Sequence, residues 1–212
     1  MAQRVSRALP LLGAALLAAA CGGGRQQAET APTPALPLPT AGIAGQPVVV
    51  YPITLISAES SLRWDELLGP RRAALDAADS LLGEMLVSRS PEVQWVLPPA
   101  LRRAAARAAG AVGDPDKMGT ALLRSPALKQ IPDPLRSQMR NLGAVAGDRY
   151  ALVPASLFFL RTPDGRGRAE LTLVIADIRT GLIEWRTIAN AVGEDPWSAL
   201  RDAIKTLTPG TP

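Results

Sequence analysis

The stretch "RAELTLVIADIRTGLIEWRTIANAV" (residues 168–192) decides the fold class of this chain. Its first half alternates apolar and polar residues, as a strand with one covered face does. One face of that strand is expected to carry Leu171, Leu173 and Ile175, and the other Glu170 and Thr172. A tight turn is expected at Thr180-Gly181. One face of the returning strand is expected to carry Ile183, Trp185, Thr187 and Ala189. The stretch therefore predicts an antiparallel hairpin.

The segments on either side extend this hairpin. "RYALVPASLFFLR" (149–161) predicts a preceding strand, joined by the turn signal "TPDGRG", so that three strands form an antiparallel meander. Pro154 lacks a backbone N–H, so this strand is expected to lie at an edge or to carry a bulge there. A closing helix follows in "EDPWSALRDAIKTL", with Asp195 as its cap and Pro196 at its start. Its apolar stripe is Trp197, Leu200, Ile204 and Leu207.

The middle of the chain alternates strands and helices. Strands are predicted at 47–53 and 92–98, and helices at 70–89, from Pro99 to near Gly113, and at 134–147. The first helix has an apolar face of Leu75, Ala78, Leu82 and Met85. Four prolines break 114–134 into loop and short helical pieces. The order β-α-β-α-α-β-β-β-α predicts an α+β domain over 48–212, with a single mixed sheet whose antiparallel C-terminal meander is covered by helices.

The amino terminus contains the only cysteine of the chain, in "ALLAAACGGG" (15–24). A short basic region and an apolar run precede small residues and Cys21, which is the layout of a bacterial lipoprotein signal. We expect residues 1–20 to be a signal peptide and Cys21 to be diacylated, anchoring the protein to a membrane. The alternative is an ordinary cleaved signal with an incidental cysteine. The Pro-, Gly- and Ala-rich segment 21–47 is expected to be a flexible tether.

The anchor predicts a location in the cell envelope. Gly22, rather than an aspartate, follows the cysteine, which favours the outer membrane with the domain facing the periplasm. Loss of Arg4 and Arg7 with the signal would lower the formal charge from +4 to +2. We therefore expect no nucleic-acid partner, and the arginines of "LRRAAAR" (Arg102, Arg103 and Arg107) are interpreted as a solvated helix face.

Catalytic chemistry has little support in the sequence. There is no histidine, and no nucleophile-elbow or phosphate-binding glycine motif, so no cofactor or catalytic residue is predicted. Asp76 and Asp79 are interpreted as a solvated salt-bridge face with Arg72. The loop "GDPDKMG" (113–119) has two acids and is a candidate for weak calcium binding, but it lacks the ligand order of an EF-hand, and no metal site is predicted.

Some of these segments resemble a known domain. "VVVYPI", "GDRYALVPASL" and "DIRTGLIEW" are similar to segments of the periplasmic α/β domain shared by CsgG-like lipoproteins of the curli secretion channel and the amino-terminal domain of TolB, to which a domain of lipoprotein activators of penicillin-binding proteins is related. Asp177, Thr180, Gly181 and Trp185 carry the hairpin motif of that resemblance. We interpret these four residues as structural: a turn cap, a turn with positive φ, and a filler between sheet and final helix.

Two functions of different classes follow. The first is a non-catalytic envelope lipoprotein whose tethered domain binds another envelope protein, or a second copy of itself, in assembly, secretion or a scaffold. The second is a periplasmic hydrolase that uses carboxylates, which requires a cleft with two convergent acids of perturbed pKa.

Overall fold

A mixed sheet organises the part of the chain that the computed structural model describes, residues 33–208. Its strands are β1 (Pro47–Val50), β2 (Ile56–Ala58), β3 (Gln94–Val96), β4 (Tyr150–Arg161), β5 (Gly167–Asp177) and β6 (Leu182–Gly193). They lie in the order β3-β1-β4-β5-β6. The short strand β2 pairs with β4 further along the same edge of β4 that β1 occupies. β1 pairs with β3 and β4 in parallel, as β2 does with β4, whereas β4, β5 and β6 are antiparallel. The predicted α+β class with a single mixed sheet is confirmed.

Helices cover both faces of the sheet. They are α1 (Thr40–Ile43), α2 (Asp65–Leu68), α3 (Arg71–Arg89), α4 (Pro98–Arg107), α5 (Leu135–Ala146) and α6 (Pro196–Lys205), with short 3-10 helices at Ser60–Leu62, Pro115–Lys117 and Thr120–Arg124. One buried cluster joins the sheet to α3 and α6, and a second joins the opposite face to α4 and α5. No helix within residues 33–208 is long and apolar enough to cross a membrane.

Helix α4 is shorter than the sequence predicts. It ends at Arg107, six residues before the expected end near Gly113. Gly110 has φ +90, a left-handed conformation that continues no helix. The alanine-rich composition favoured a longer helix, but this glycine turns the chain away.

Pro154 lies at a local edge of the sheet and beside a bulge, the two alternatives predicted for it. On the side away from β5, β1 pairs with β4 as far as Leu152 and β2 pairs with it from Ile56 opposite Leu157, so no described strand pairs with Pro154 there. The pairing of β4 with β5 shifts register between Pro154 and Ser156, leaving one extra residue on β4. Such a bulge reverses which side chains face which side. Leu152 and Leu157, five residues apart, consequently belong to the same cluster, next to α3 and α6.

A second bulge corrects the predicted face of β6. Ile175 pairs with Trp185 and Ala176 with Ile183, so Glu184 is the extra residue. Trp185 therefore packs against the cluster beneath α6, whereas Ile183 packs against the opposite cluster. The prediction that Ile183 shares a face with Trp185 is wrong, because period-two counting assumes a regular strand.

Helix α6 begins as predicted. Asp195 is its N-cap, accepting hydrogen bonds from the amides of Trp197 and Ser198, and Pro196 occupies its first turn. The Ser198 side chain completes a capping box with the Asp195 amide. Leu200, Ile204 and Leu207 of the expected stripe are buried, and Trp197 is partly buried.

Part of the expected tether packs on the domain. Leu38 and Ile43 are buried in the cluster beneath α6. The Leu36 amide donates to Thr187 Oγ1 at 2.7 Å, and the Leu38 amide donates to the Leu207 carbonyl at 2.8 Å. The folded unit thus begins before residue 48. Composition alone missed this, because two apolar side chains suffice to attach a proline-rich segment to a sheet edge.

Candidate functional site

A network of ion pairs joins three elements beside the amino end of α4. Arg102 Nη2 lies 2.6 Å from Asp79 Oδ2 on α3 and 2.7 Å from Asp116 Oδ1 in the following 3-10 helix. The Arg102 Nε also donates to Asp116 Oδ2 at 2.9 Å. Arg72 contacts Asp116 and pairs with Asp76 one turn along α3. Arg102 is therefore held by carboxylates from two separate segments.

Both carboxylate oxygens of the buried Asp79 have a partner: Oδ2 pairs with Arg102, and Oδ1 accepts a backbone amide. The side chain is only 4% exposed, and its Oδ1 accepts the Ile53 amide at 2.8 Å. Ile53 follows Pro52 in the stretch between β1 and β2, where the chain leaves the sheet before rejoining β4. An unpaired amide there needs an acceptor. Asp79 thus holds this stretch against α3 through the hydrogen bond to Ile53, and Arg102 neutralises its charge.

The pKa values of the two carboxyl groups are shifted in opposite directions. Burial raises the pKa of Asp79, and the Ile53 amide and the Arg102 guanidinium offset only part of that effect. Burial also acts to raise the pKa of Asp116. The hydrogen bonds and positive charge of Arg102, together with those of Arg72, outweigh burial, so the pKa of Asp116 is lowered. Both carboxylates remain hydrogen-bonded to one guanidinium, so neither is poised to exchange a proton with a substrate.

The interpretation of α3 and α4 as solvated charged faces holds in part. Arg72 and Asp76 form the expected exposed pair, and Arg103 and Arg107 are exposed. Asp79 and Arg102 are corrections, because Asp79 is buried and pairs with the partly exposed Arg102. The signal lay in the spacing: residue 79 is four after Leu75 and three before Leu82, which places it on the buried face of the helix.

An apolar cleft opens next to this network, between α3 and the start of α4. We call it the α3–α4 cleft, and we name its apolar lining the floor and its polar lining the rim. The floor is Gly83, Val87, Leu97, Pro98 and Pro99, and the rim is Asp76, Asp79, Ser80, Glu84, Ser88 and Arg102. Its volume is about 690 Å³, within the range of about 300–1,000 Å³ typical of ligand pockets. A Cβ at Gly83 would lie 3.1 Å from the Leu97 side chain, so a glycine here lets α3 lie close to Leu97. Val87 is 50% exposed there.

The hairpin motif forms a tight turn. Asp177 is 1% exposed, and its Oδ1 accepts the amides of Arg179 and Thr180. Its Oδ2 pairs with Arg149 at 2.8 Å. Burial acts to raise the pKa of Asp177, but the amide and Arg149 interactions outweigh it and lower the pKa. Gly181 closes the turn with φ +80. This geometry gives Asp177, Thr180 and Gly181 a role in holding the hairpin.

Trp185 packs on the sheet face that α6 covers. It is partly buried against the cluster that includes Leu200 and Ile204 of α6, and its predicted place between sheet and helix stays a prediction. Its Nε1 is buried and has no hydrogen-bond partner among the described residues. Glu184, its bulged neighbour, is exposed.

One further carboxyl group has a raised pKa. Burial raises the pKa of Asp148 to about 6, and its Oδ2 is buried without a hydrogen-bond partner among the described residues. It borders a depression of about 320 Å³ whose other charged residues are Arg140, Arg149 and Arg179. No second carboxylate lines this depression, so it does not offer the acid pair that a carboxylate hydrolase needs.

Cys21 lies outside residues 33–208, as do the predicted signal peptide and the first part of the predicted tether. Within that described range, no three or more histidine, cysteine, aspartate or glutamate side chains are grouped so as to hold a metal ion. The acids of 113–119 serve instead as partners: Asp114 caps the 3-10 helix and Asp116 pairs with Arg102.

Comparisons with known proteins give distant structural similarities. No family model matches the chain, and no curated protein matches its sequence. The C-terminal domain of LpoB from Salmonella enterica is 16% identical, covering 70% of this chain and 83% of that one, with a TM-score of 0.42. PelC from Paraburkholderia phytofirmans, solved as a dodecamer, is 13% identical over 83% and 96%, with a TM-score of 0.39. Lipoprotein GNA1162 from Neisseria meningitidis is 14% identical over 69% and 80%, with a TM-score of 0.32. Similarities at this level do not transfer a function.

Proposed function

We propose that this protein is a non-catalytic lipoprotein, anchored through Cys21 in the outer membrane and facing the periplasm, whose domain binds another envelope protein at the α3–α4 cleft. The signal-like amino terminus with its single cysteine supports the anchor. The resemblance of the "DIRTGLIEW" hairpin to CsgG-like and TolB amino-terminal domains agrees with a periplasmic setting.

The observation that carries the binding role is the chemistry of the cleft. Its floor is apolar and open, with a half-exposed valine, whereas the two buried or half-buried carboxylates beside it are both occupied by Arg102. Exposed apolar surface in a concave site is stabilised when a partner covers it. A hydrolase would instead need Asp79 or Asp116 free to contact a substrate.

Site-specific photocrosslinking in intact cells tests this function. A p-benzoylphenylalanine residue in place of Val87 should form an adduct with one envelope protein, identifiable by mass spectrometry. The matched control is the same residue in place of Val145, an exposed valine on α5 that is 42% exposed. Equal capture at both positions, or none at Val87, would refute the proposed role of the cleft.

A further inference from the structure

The rim of the α3–α4 cleft is acidic although the whole chain is basic. Asp76, Asp79 and Glu84 line it, but Arg72 pairs with Asp76 and Arg102 with Asp79, which leaves an excess of one negative charge, on Glu84, in a chain of formal charge +4. Charge of one sign around an apolar site selects partners of the opposite sign. The local excess of carboxylates therefore bears on what the cleft binds.

The arginine of the rim is not free to attract an anion. Arg102 lies within 2.6 Å of Asp79, 2.7 Å of Asp116 and 3.7 Å of Asp76, so carboxylates already surround its guanidinium. Glu84, in contrast, is exposed and forms no ion pair with any residue between 33 and 208. An incoming charge at the mouth of the cleft thus meets carboxylate first, and a cation is favoured.

Helix spacing sets the geometry of recognition. Glu84 and Val87 are three residues apart on α3, so their side chains lie on the same face about 5–6 Å apart at Cβ. A partner that meets both must present a cation and an apolar group at a similar separation. Residues three or four apart on a helix, or two apart on a strand, provide it.

We propose that the α3–α4 cleft binds a protein segment that places an apolar side chain on its floor and a lysine or arginine against Glu84; this inference rests on the proposed function. The apolar floor of Val87, Leu97 and the two prolines accepts the first group, and the carboxylate of Glu84, which has no ion-pair partner among residues 33–208, accepts the second. The segment is therefore basic and amphipathic.

The crosslinked peptide tests this assignment. The full-length protein with p-benzoylphenylalanine at Val87 is crosslinked in cells, and the modified residue of the partner is mapped. We expect a lysine or arginine within one helical turn of that residue. A synthetic peptide of the mapped segment should bind the purified protein, and Glu84→Lys should weaken that binding on the order of tenfold. Added salt should weaken it as well.

Matched variants separate the outcomes. Glu92→Lys adds the same charge at an exposed position outside the cleft and should leave the affinity within about twofold of the wild type. An acidic or uncharged mapped segment, or equal effects of the two variants, would overturn the basic-segment assignment while leaving the proposed protein-binding function standing. An adduct with a second copy of this chain, a lipid or a small molecule would also overturn it. Absence of any adduct specific to Val87 would refute the proposed function itself.

Discussion

Replacing Arg102 by methionine should lower the free energy of unfolding by about 3 kcal/mol at pH 7. Removing one partner of a buried ion pair leaves the other charge unpaired, which costs about 3–5 kcal/mol. The Asp79 side chain is 4% exposed, but Arg102 itself is 24% exposed. Water can therefore enter the space it leaves, and we expect the lower end of that range. Arg103→Met is the control, since Arg103 is exposed on the same helix.

The free-energy cost of Arg102→Met should depend on pH. Asp79 has a raised pKa in the folded state, so the folded form binds its proton more tightly and stability falls as pH rises from the unfolded value, near 4, to the folded pKa. Arg102→Met removes the guanidinium that limits this shift. It also removes the main stabilising partner of the Asp116 carboxylate, whose contribution in the wild type is lost only as the pH falls below the unfolded value near 4. The cost of the substitution should thus be largest at pH 7 and shrink toward pH 4.

Urea titrations followed by tryptophan fluorescence, at several pH values, measure this cost. A second variant, Arg102→Met with Asp79→Asn, removes the stranded charge and keeps an acceptor for the Ile53 amide. It should be more stable than Arg102→Met alone by about 1–3 kcal/mol. A cost below about 1 kcal/mol for Arg102→Met, a cost that does not vary with pH, or strict additivity in the pair would refute the assignment of a buried, coupled ion pair.

Three further predictions concern the remaining parts of the chain. A protein starting at residue 46 should lose about 3–6 kcal/mol relative to one starting at residue 33, because Leu38 and Ile43 leave the core; equal urea midpoints would contradict this. Trp185→Ala should cost about 3 kcal/mol, whereas Glu184→Ala, at the exposed bulge position, should cost under about 0.5 kcal/mol; a reversed order in urea would show that the register of β6 is wrong. Cys21→Ser should abolish incorporation of a clickable fatty acid in cells, and equal labelling of the variant and the wild type would end the lipoprotein interpretation.

Local patterns predicted most of the elements. The alternation in 168–192, the turn at Gly181 and the cap at Asp195 each depend on residues close together in sequence, and each element lies where its pattern places it. Pro154 indicated an edge or a bulge, because a missing amide constrains the strand whatever surrounds it. Lipidation at Cys21 stays a prediction from the sequence.

The site was decided by contacts between distant segments. Asp79, Arg102 and Asp116 lie on three elements, and only the tertiary structure brings their side chains within hydrogen-bond distance, with Asp79 buried and Arg102 and Asp116 partly exposed. The α3–α4 cleft likewise depends on the tertiary structure, because the spacing of apolar residues in either helix shows which face is covered but not how completely a neighbour covers it.

Sequence by itself thus determined the α+β class, the order of the main elements and the expected membrane anchor, because hydrophobic period, turn chemistry and signal composition are local properties. Tertiary structure alone decided that Ile183 and Trp185 face opposite sides, that Leu38 and Ile43 belong to the core, and that Asp79 pairs with Arg102. A single extra residue in a strand, or an amide left unpaired beside a proline, changes which side chains meet, and such changes follow from how segments far apart in sequence pack together.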